Sequence, residues 1–147
     1  MKKVVLFAIL FCIYQSLSAQ LNNIESVEYD PVNLRFLVSN SNSIIAINQD
    51  GSMEQFGTNA AASFGMEVIG NTLFVIQNNA IEAYDLTTED LISSLPISSA
   101  GFLNGMASDG VNHLWVTDFS NKKIHEIDVT DIANPCLLYT SPSPRDS

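Results

Sequence analysis

The sequence predicts an all-β fold: a partial β-propeller of about three four-stranded blades, preceded by an N-terminal signal peptide helix. Two observations carry the β assignment. Hydrophobic residues recur either in short unbroken runs or at period two, and no segment after the leader sustains a helical period. A third observation selects the architecture, because the same strand-and-turn pattern returns about every 40 residues, the period of a propeller blade.

Met1, Lys2 and Lys3 form a positive n-region, and Val4 to Tyr14 is an unbroken apolar run. That run is shorter than the roughly 20 apolar residues a membrane-spanning helix needs. Ser16 to Ala19 then supplies a small-residue cleavage site. Residues 1–19 therefore read as a signal peptide, with Gln20 the mature N-terminus, no membrane span after cleavage, and a secreted product, periplasmic or extracellular. Cys12 follows Phe11 where lipoprotein processing wants a small residue, which disfavours lipidation.

The repeat occupies 20–135, with blades over about 24–60, 63–99 and 102–135. Each blade pairs an apolar strand with an alternating one across a polar turn: Arg35 to Asn40 with Ile44 to Asn48, Thr72 to Gln77 with Ile81 to Asp85, and His113 to Asp118 with Ile124 to Asp128. Val38, Val75 and Val116 take equivalent places, as do Ile47, Tyr84 and Ile127. Upstream, Val27, Met66 and Met106 share a slot, with Gly65-Met66 and Gly105-Met106 repeating outright. The apolar strands read as buried on both faces, the alternating ones as half-solvated. Asn, Asp and Ser between them favour turns, and Asp50-Gly51 marks a hairpin into Met53 to Phe56. A β-sandwich would need no fixed period. Trp115 and Phe74 fall at matched core positions, whereas His125 reads as a solvated side chain.

Cys136 to Asp146 reads, codon by codon, as a translated transposon-end sequencing adapter. Residues 136–147 are accordingly expected to be a non-native tail, with the native chain running on past Pro135. Cys136, Tyr139 and Arg145 are then assigned no chemistry. Since propellers carry about four to eight blades, three are expected to be the N-terminal part of a longer ring.

Within 20–135, fifteen acidic side chains face three basic ones, a net charge of about −12. That balance argues against nucleic acid and anionic membrane as partners. No cysteine remains in that span, so packing or a bound ion must hold the fold. His113 and His125 are isolated, and neither a nucleophile elbow nor a phosphate-binding glycine loop is present. Zinc, serine hydrolase and nucleotide chemistry are thereby disfavoured.

Glu25 to Pro31, Leu34 to Ser39, Asn104 to Met106 and Leu114 to Asp118 resemble the regucalcin/gluconolactonase-like six-bladed propellers and, more loosely, NHL-type repeats. The resemblance covers essentially all of 20–135. It implies a calcium ion held at the end of the central channel in members that hydrolyse sugar lactones, where the metal polarises the lactone carbonyl. It also implies two metal ligands here: Glu25, two residues before Val27, and Asn104, two before Met106. Phe64 fills the corresponding place in the middle blade and cannot ligate. The resemblance leaves two functions open: an extracellular binding or scaffold module for a small-molecule or protein ligand, or a Ca2+-dependent lactone hydrolase whose remaining ligands lie beyond Pro135.

Overall fold

The computed structural model describes residues 21–142. Its strands are β1 (Val27–Asp30), β2 (Arg35–Asn40), β3 (Ser43–Ile47), β4 (Met53–Gln55), β5 (Met66–Ile69), β6 (Thr72–Gln77), β7 (Ala80–Asp85), β8 (Leu91–Pro96), β9 (Leu103–Ser108), β10 (His113–Asp118), β11 (Lys123–Asp128) and β12 (Cys136–Pro142). They form three four-stranded antiparallel sheets, each a meander in chain order: β1 to β4, β5 to β8 and β9 to β12. The chain is all-β over the described residues and forms propeller-type blades. The helix expected over residues 1–19 lies outside them.

Local chemistry sets the turns. Asp30 Oδ1 accepts the Val32 and Asn33 N–H groups at 3.0 Å each. Asp85 Oδ1 takes those of Thr87 and Thr88 at 2.7 and 2.8 Å. Asp109 Oδ1 takes Val111, Asn112 and His113 at 2.8, 2.9 and 3.0 Å. These side chains stand in for main-chain acceptors where the strand ladder ends. The two-residue β2–β3 and β6–β7 hairpins have positive φ at their first central residue, 61° at Ser41 and 55° at Asn78, as tight hairpins of matching twist require.

The register explains the packing. Val27, Met66 and Met106 pair with Val38, Val75 and Val116, so the three sheets share this register between their two inner strands. Leu37, Ile44 and Ala46 of the first sheet pack with Met66, Leu73, Val75 and Tyr84 of the second. Phe74, Ile76, Ile81 and Ala83, on the second sheet's other face, pack with Leu114, Val116 and Ile127 of the third. The middle sheet is thus buried on both sides.

Equivalent residues differ in exposure according to what lies beside them. Phe36, Leu73 and Leu114 share one slot yet are 52, 0 and 0 % exposed. Leu37, Phe74 and Trp115 share the next, facing the opposite way, and are 0, 1 and 36 % exposed. Trp115 therefore has the register expected of it but not the core burial, because no described sheet covers its face. His125, expected in solvent, is fully buried: it sits opposite Val116, on the face of the third sheet turned toward the second.

Residues 136–142 pair with β11 as the outer strand of the third sheet, extending that blade beyond the boundary expected at 135. Edge pairing uses main-chain groups, which any extended segment carries. The pairing bears on where these residues lie, not on their origin.

An ionic hub ties the first two sheets together at the end opposite the β2–β3 turn. Buried Arg35 donates from Nε to Asp30 Oδ2 at 3.0 Å, and its two terminal nitrogens reach Glu54 Oε1 at 3.2 Å and Glu89 Oε1 at 2.5 Å. Glu89, from the second sheet's β7–β8 turn, also accepts the Gly57 N–H at 2.7 Å. The guanidinium lies 5.6 Å from the Phe56 ring centroid.

Candidate functional site

Antiparallel meanders bring the segments leading into β1, β5 and β9 to the same end as the β2–β3, β6–β7 and β10–β11 turns. A repeated clamp fixes this end. Asn40, Gln77 and Asp118 are register-equivalent last residues of β2, β6 and β10, and each accepts hydrogen bonds from the segment leading into its own inner strand. Asn40 Oδ1 takes the Asn22 N–H, and Gln77 Oε1 takes the Ser63 hydroxyl at 2.8 Å. Asp118 takes the Gly101 and Phe102 N–H groups at 3.0 Å each. Ser39 Oγ adds bonds from the Glu25 and Ser26 N–H groups at 3.0 and 2.8 Å.

Held this way, the first two sheets enclose a cleft of about 570 Å3, lined by Asn23, Glu25, Ser41, Asn42, Ser63, Phe64 and Asn78. The Glu25 carboxylate and the Asn42 and Asn78 amides lie exposed at its rim. Phe64 forms one wall and meets Phe102 edge-on at 4.7 Å, and Phe102 meets Phe119 at 6.3 Å. The arrangement offers a neutral-to-acidic, hydrogen-bonding surface beside an aromatic one.

Glu25 and Phe64 share this cleft. Asn104 does not line it, although its carbonyl accepts the N–H of Gly65, the residue beside Phe64, at 2.9 Å. Calcium takes about six to eight oxygens in its shell. Around Glu25 the cleft supplies one carboxylate and neutral amide or hydroxyl oxygens, with an aromatic ring in the middle blade's slot. Among the described residues no group of three or more His, Cys, Asp or Glu side chains is arranged to hold a metal ion. This donor set falls short of a calcium shell.

The sequence does not show Asp118 and His125 as a pair: Asp118 ends an apolar strand and His125 reads as solvated. Their side chains approach at 3.4 Å and both are buried. Burial pushes the Asp118 carboxyl upward. The Phe102 and Gly101 N–H groups, with Asn121, outweigh it and hold the carboxyl well below the usual range. The fully buried imidazole lies against a carboxylate that already accepts several donors beside the β10–β11 turn. The signal that could have found it is the alternation of β11, which puts His125 on the same face as buried Ile127.

No protein-family model matches the sequence, and no curated protein matches it. Solved structures do, at the level of fold. The chain is similar to the β-propeller domain of Myceliophteria thermophila Cps50 (Swd1), with a TM-score of 0.66 and 12 % identity over 84 % of this chain and 46 % of that one. It is similar to a catalytically inactive virginiamycin B lyase from Staphylococcus aureus with quinupristin, at 0.66 and 15 % over 88 and 44 %. It is also similar to a luciferin-regenerating enzyme, at 0.64 and 17 % over 86 and 48 %. The chain spans about half the length of these propellers. At these identities the likeness establishes the β-propeller fold.

Proposed function

We propose that the chain is an arc of a secreted propeller that works as an extracellular binding or scaffold module, exported by the leader at residues 1–19 and taking its ligand at the Glu25 cleft. The observation that carries this reading is the cleft itself: exposed amides and a carboxylate beside Phe64, at the end where every inner strand begins. The strongly acidic surface favours a neutral or cationic small molecule, or a protein loop of that character, over nucleic acid. Titrating the isotopically labelled chain with a panel of small neutral and cationic fragments tests it. Amide and side-chain shifts should concentrate at Asn42, Ser63, Gly65 and Asn78. Shifts scattered over the outer strands β4 and β8, or none anywhere, would refute the assignment.

One observation favours a second reading, the Ca2+-dependent lactone hydrolase of the regucalcin/gluconolactonase-like class. Glu25, just ahead of β1, and Asn104, in β9, each lie two residues before the equivalent Val27 and Met106 in the sequence, as that resemblance requires. Calorimetry with calcium chloride tests it separately. Heat at millimolar ion or below, lost on Glu25→Gln, would support the hydrolase; no heat would remove it and leave the binding module standing.

A further inference from the structure

We propose that two copies of this chain close head to tail into one six-sheet ring, the third sheet of each copy packing on the first sheet of the other. The register states which faces can meet. At both junctions within the chain, the face bearing the Leu37 slot packs on the next sheet's face bearing the Leu73 slot: Leu37 clusters with Leu73, and Phe74 with Leu114. Two faces are left with no described sheet against them. One carries Phe36, the first sheet's member of the Leu73 slot, and the other carries Trp115, the third sheet's member of the Leu37 slot. They are the two halves of one more such junction, presented at opposite ends of the arc. A single arc cannot bring them together, and a second copy can.

The residues on the two faces suit that contact. Val27, Tyr29 and Phe36 stand exposed on the first sheet's outer face, with the two rings edge-on at 5.6 Å. Ile47 and Met53 continue the same face across β3 and β4. Alternation along β1 to β4 puts no charged side chain there. On the third sheet, Trp115 lies between Ala107 of β9 and Glu126 of β11. Where Leu37 and Phe74 have the buried Ala46 and Ala83 beside them, Trp115 has Glu126. The ring presses that carboxylate against an uncharged face, so Glu126 weakens the contact rather than making it.

Size argues for two copies. Each brings three sheets, and six falls within the range of about four to eight that propellers carry. The chain spans a little under half of each solved propeller it resembles, so two arcs fill a ring of that size. Head-to-tail contacts close when the rotation per copy divides a full turn, and otherwise run on as a fibre. Half a turn per copy closes at two. The ring needs only the fold, and it leaves the Glu25 cleft, between the first and second sheets, as it is.

Sedimentation equilibrium of the full chain from sub-micromolar to high-micromolar concentration, with Trp115 emission read on the same samples, tests the ring. Trp115 is the only tryptophan, so burial against a second copy should shift its emission to the blue as the mass doubles. Phe36→Glu, at a position exposed in the single arc, should hold the mass at one chain across that range. Glu126→Ala supplies the alanine of the two buried junctions and should tighten the dimer about tenfold or more, a gain that a folding defect cannot mimic. In dilute solution Phe36 stays exposed, so truncating it costs little stability until the mass doubles. A mass of one chain throughout, growth past two copies, doubling that leaves Trp115 emission unmoved or that Phe36→Glu retains, or no tightening in Glu126→Ala would overturn the proposal.

Discussion

Arg35→Met is the perturbation that most directly probes how the first two sheets hold together. Methionine keeps an apolar stem against Phe56 but removes the charge from three carboxylates. Asp30 is fully buried, Glu89 is partly buried and Glu54 is exposed. Breaking a buried pair by deleting one partner costs about 3–5 kcal/mol, because the other charge stays buried and uncompensated. Asp30 is cushioned by three remaining donors, the Val32 N–H and two from Asn33. Glu89 keeps the Gly57 N–H, and the exposed Glu54 contact is worth about 0–1 kcal/mol. The expected loss is therefore near the lower end, about 3 kcal/mol. Urea unfolding followed by Trp115 fluorescence measures it. Because Glu89 belongs to the second sheet, Arg35→Met and Glu89→Gln should couple by about 1–2 kcal/mol in a double-mutant cycle. The deficit should shrink in acid. Burial raises the Asp30 carboxyl, yet Asn33, Arg35 and Val32 hold it below its ordinary value, so its contribution is present above about 4 and lost as pH falls. A loss under about 1 kcal/mol, or strict additivity, would refute the hub as an inter-sheet tie.

Three other outcomes follow from the same geometry. A Cβ on Gly65 would meet the Met106 nitrogen at 2.7 Å and the Asn104 oxygen at 3.0 Å, both backbone, so Gly65→Ala should cost about 1–3 kcal/mol in thermal unfolding and unprotect the Gly65 amide. Leu114→Ala should cost about 2–5 kcal/mol by cavity formation, while Phe36→Ala, at the equivalent but exposed position, should cost about 1 kcal/mol or less; equal losses would contradict the stacking. Asp118→Asn should destabilise by about 1–3 kcal/mol in urea, since its amide nitrogen meets donors where an acceptor stood, and it should remove part of the wild type's loss of stability below about pH 4.

The strands and their register were readable because a blade's signal is local: Val38, Val75 and Val116 each sit in an apolar run flanked by turn residues. Exposure was not readable. Trp115 carries the same pattern as Phe74, and only the presence or absence of a neighbouring sheet separates them. His125 went unread because its partner Asp118 approaches across the β10–β11 turn. The Arg35 hub was hidden for another reason: Asp30, Glu54 and Glu89 are far apart in sequence, and Glu89 reaches Arg35 from a turn where its φ is +63°. Of the cleft, the sequence named Glu25 only as a metal ligand implied by resemblance, Asn42 and Asn78 read as turn residues, and Ser63 carried no signal, because the cleft exists only where two sheets meet.

The middle sheet is packed on both faces, and methyl and aromatic NOEs in the labelled chain read that directly. Val75 methyls should show cross-peaks to Ile44, and the Phe74 ring to Val116, with none joining Ile44 to Val116. Strong Ile44–Val116 cross-peaks would mean that the first and third sheets share one closed core, and the blade-by-blade stack would be wrong.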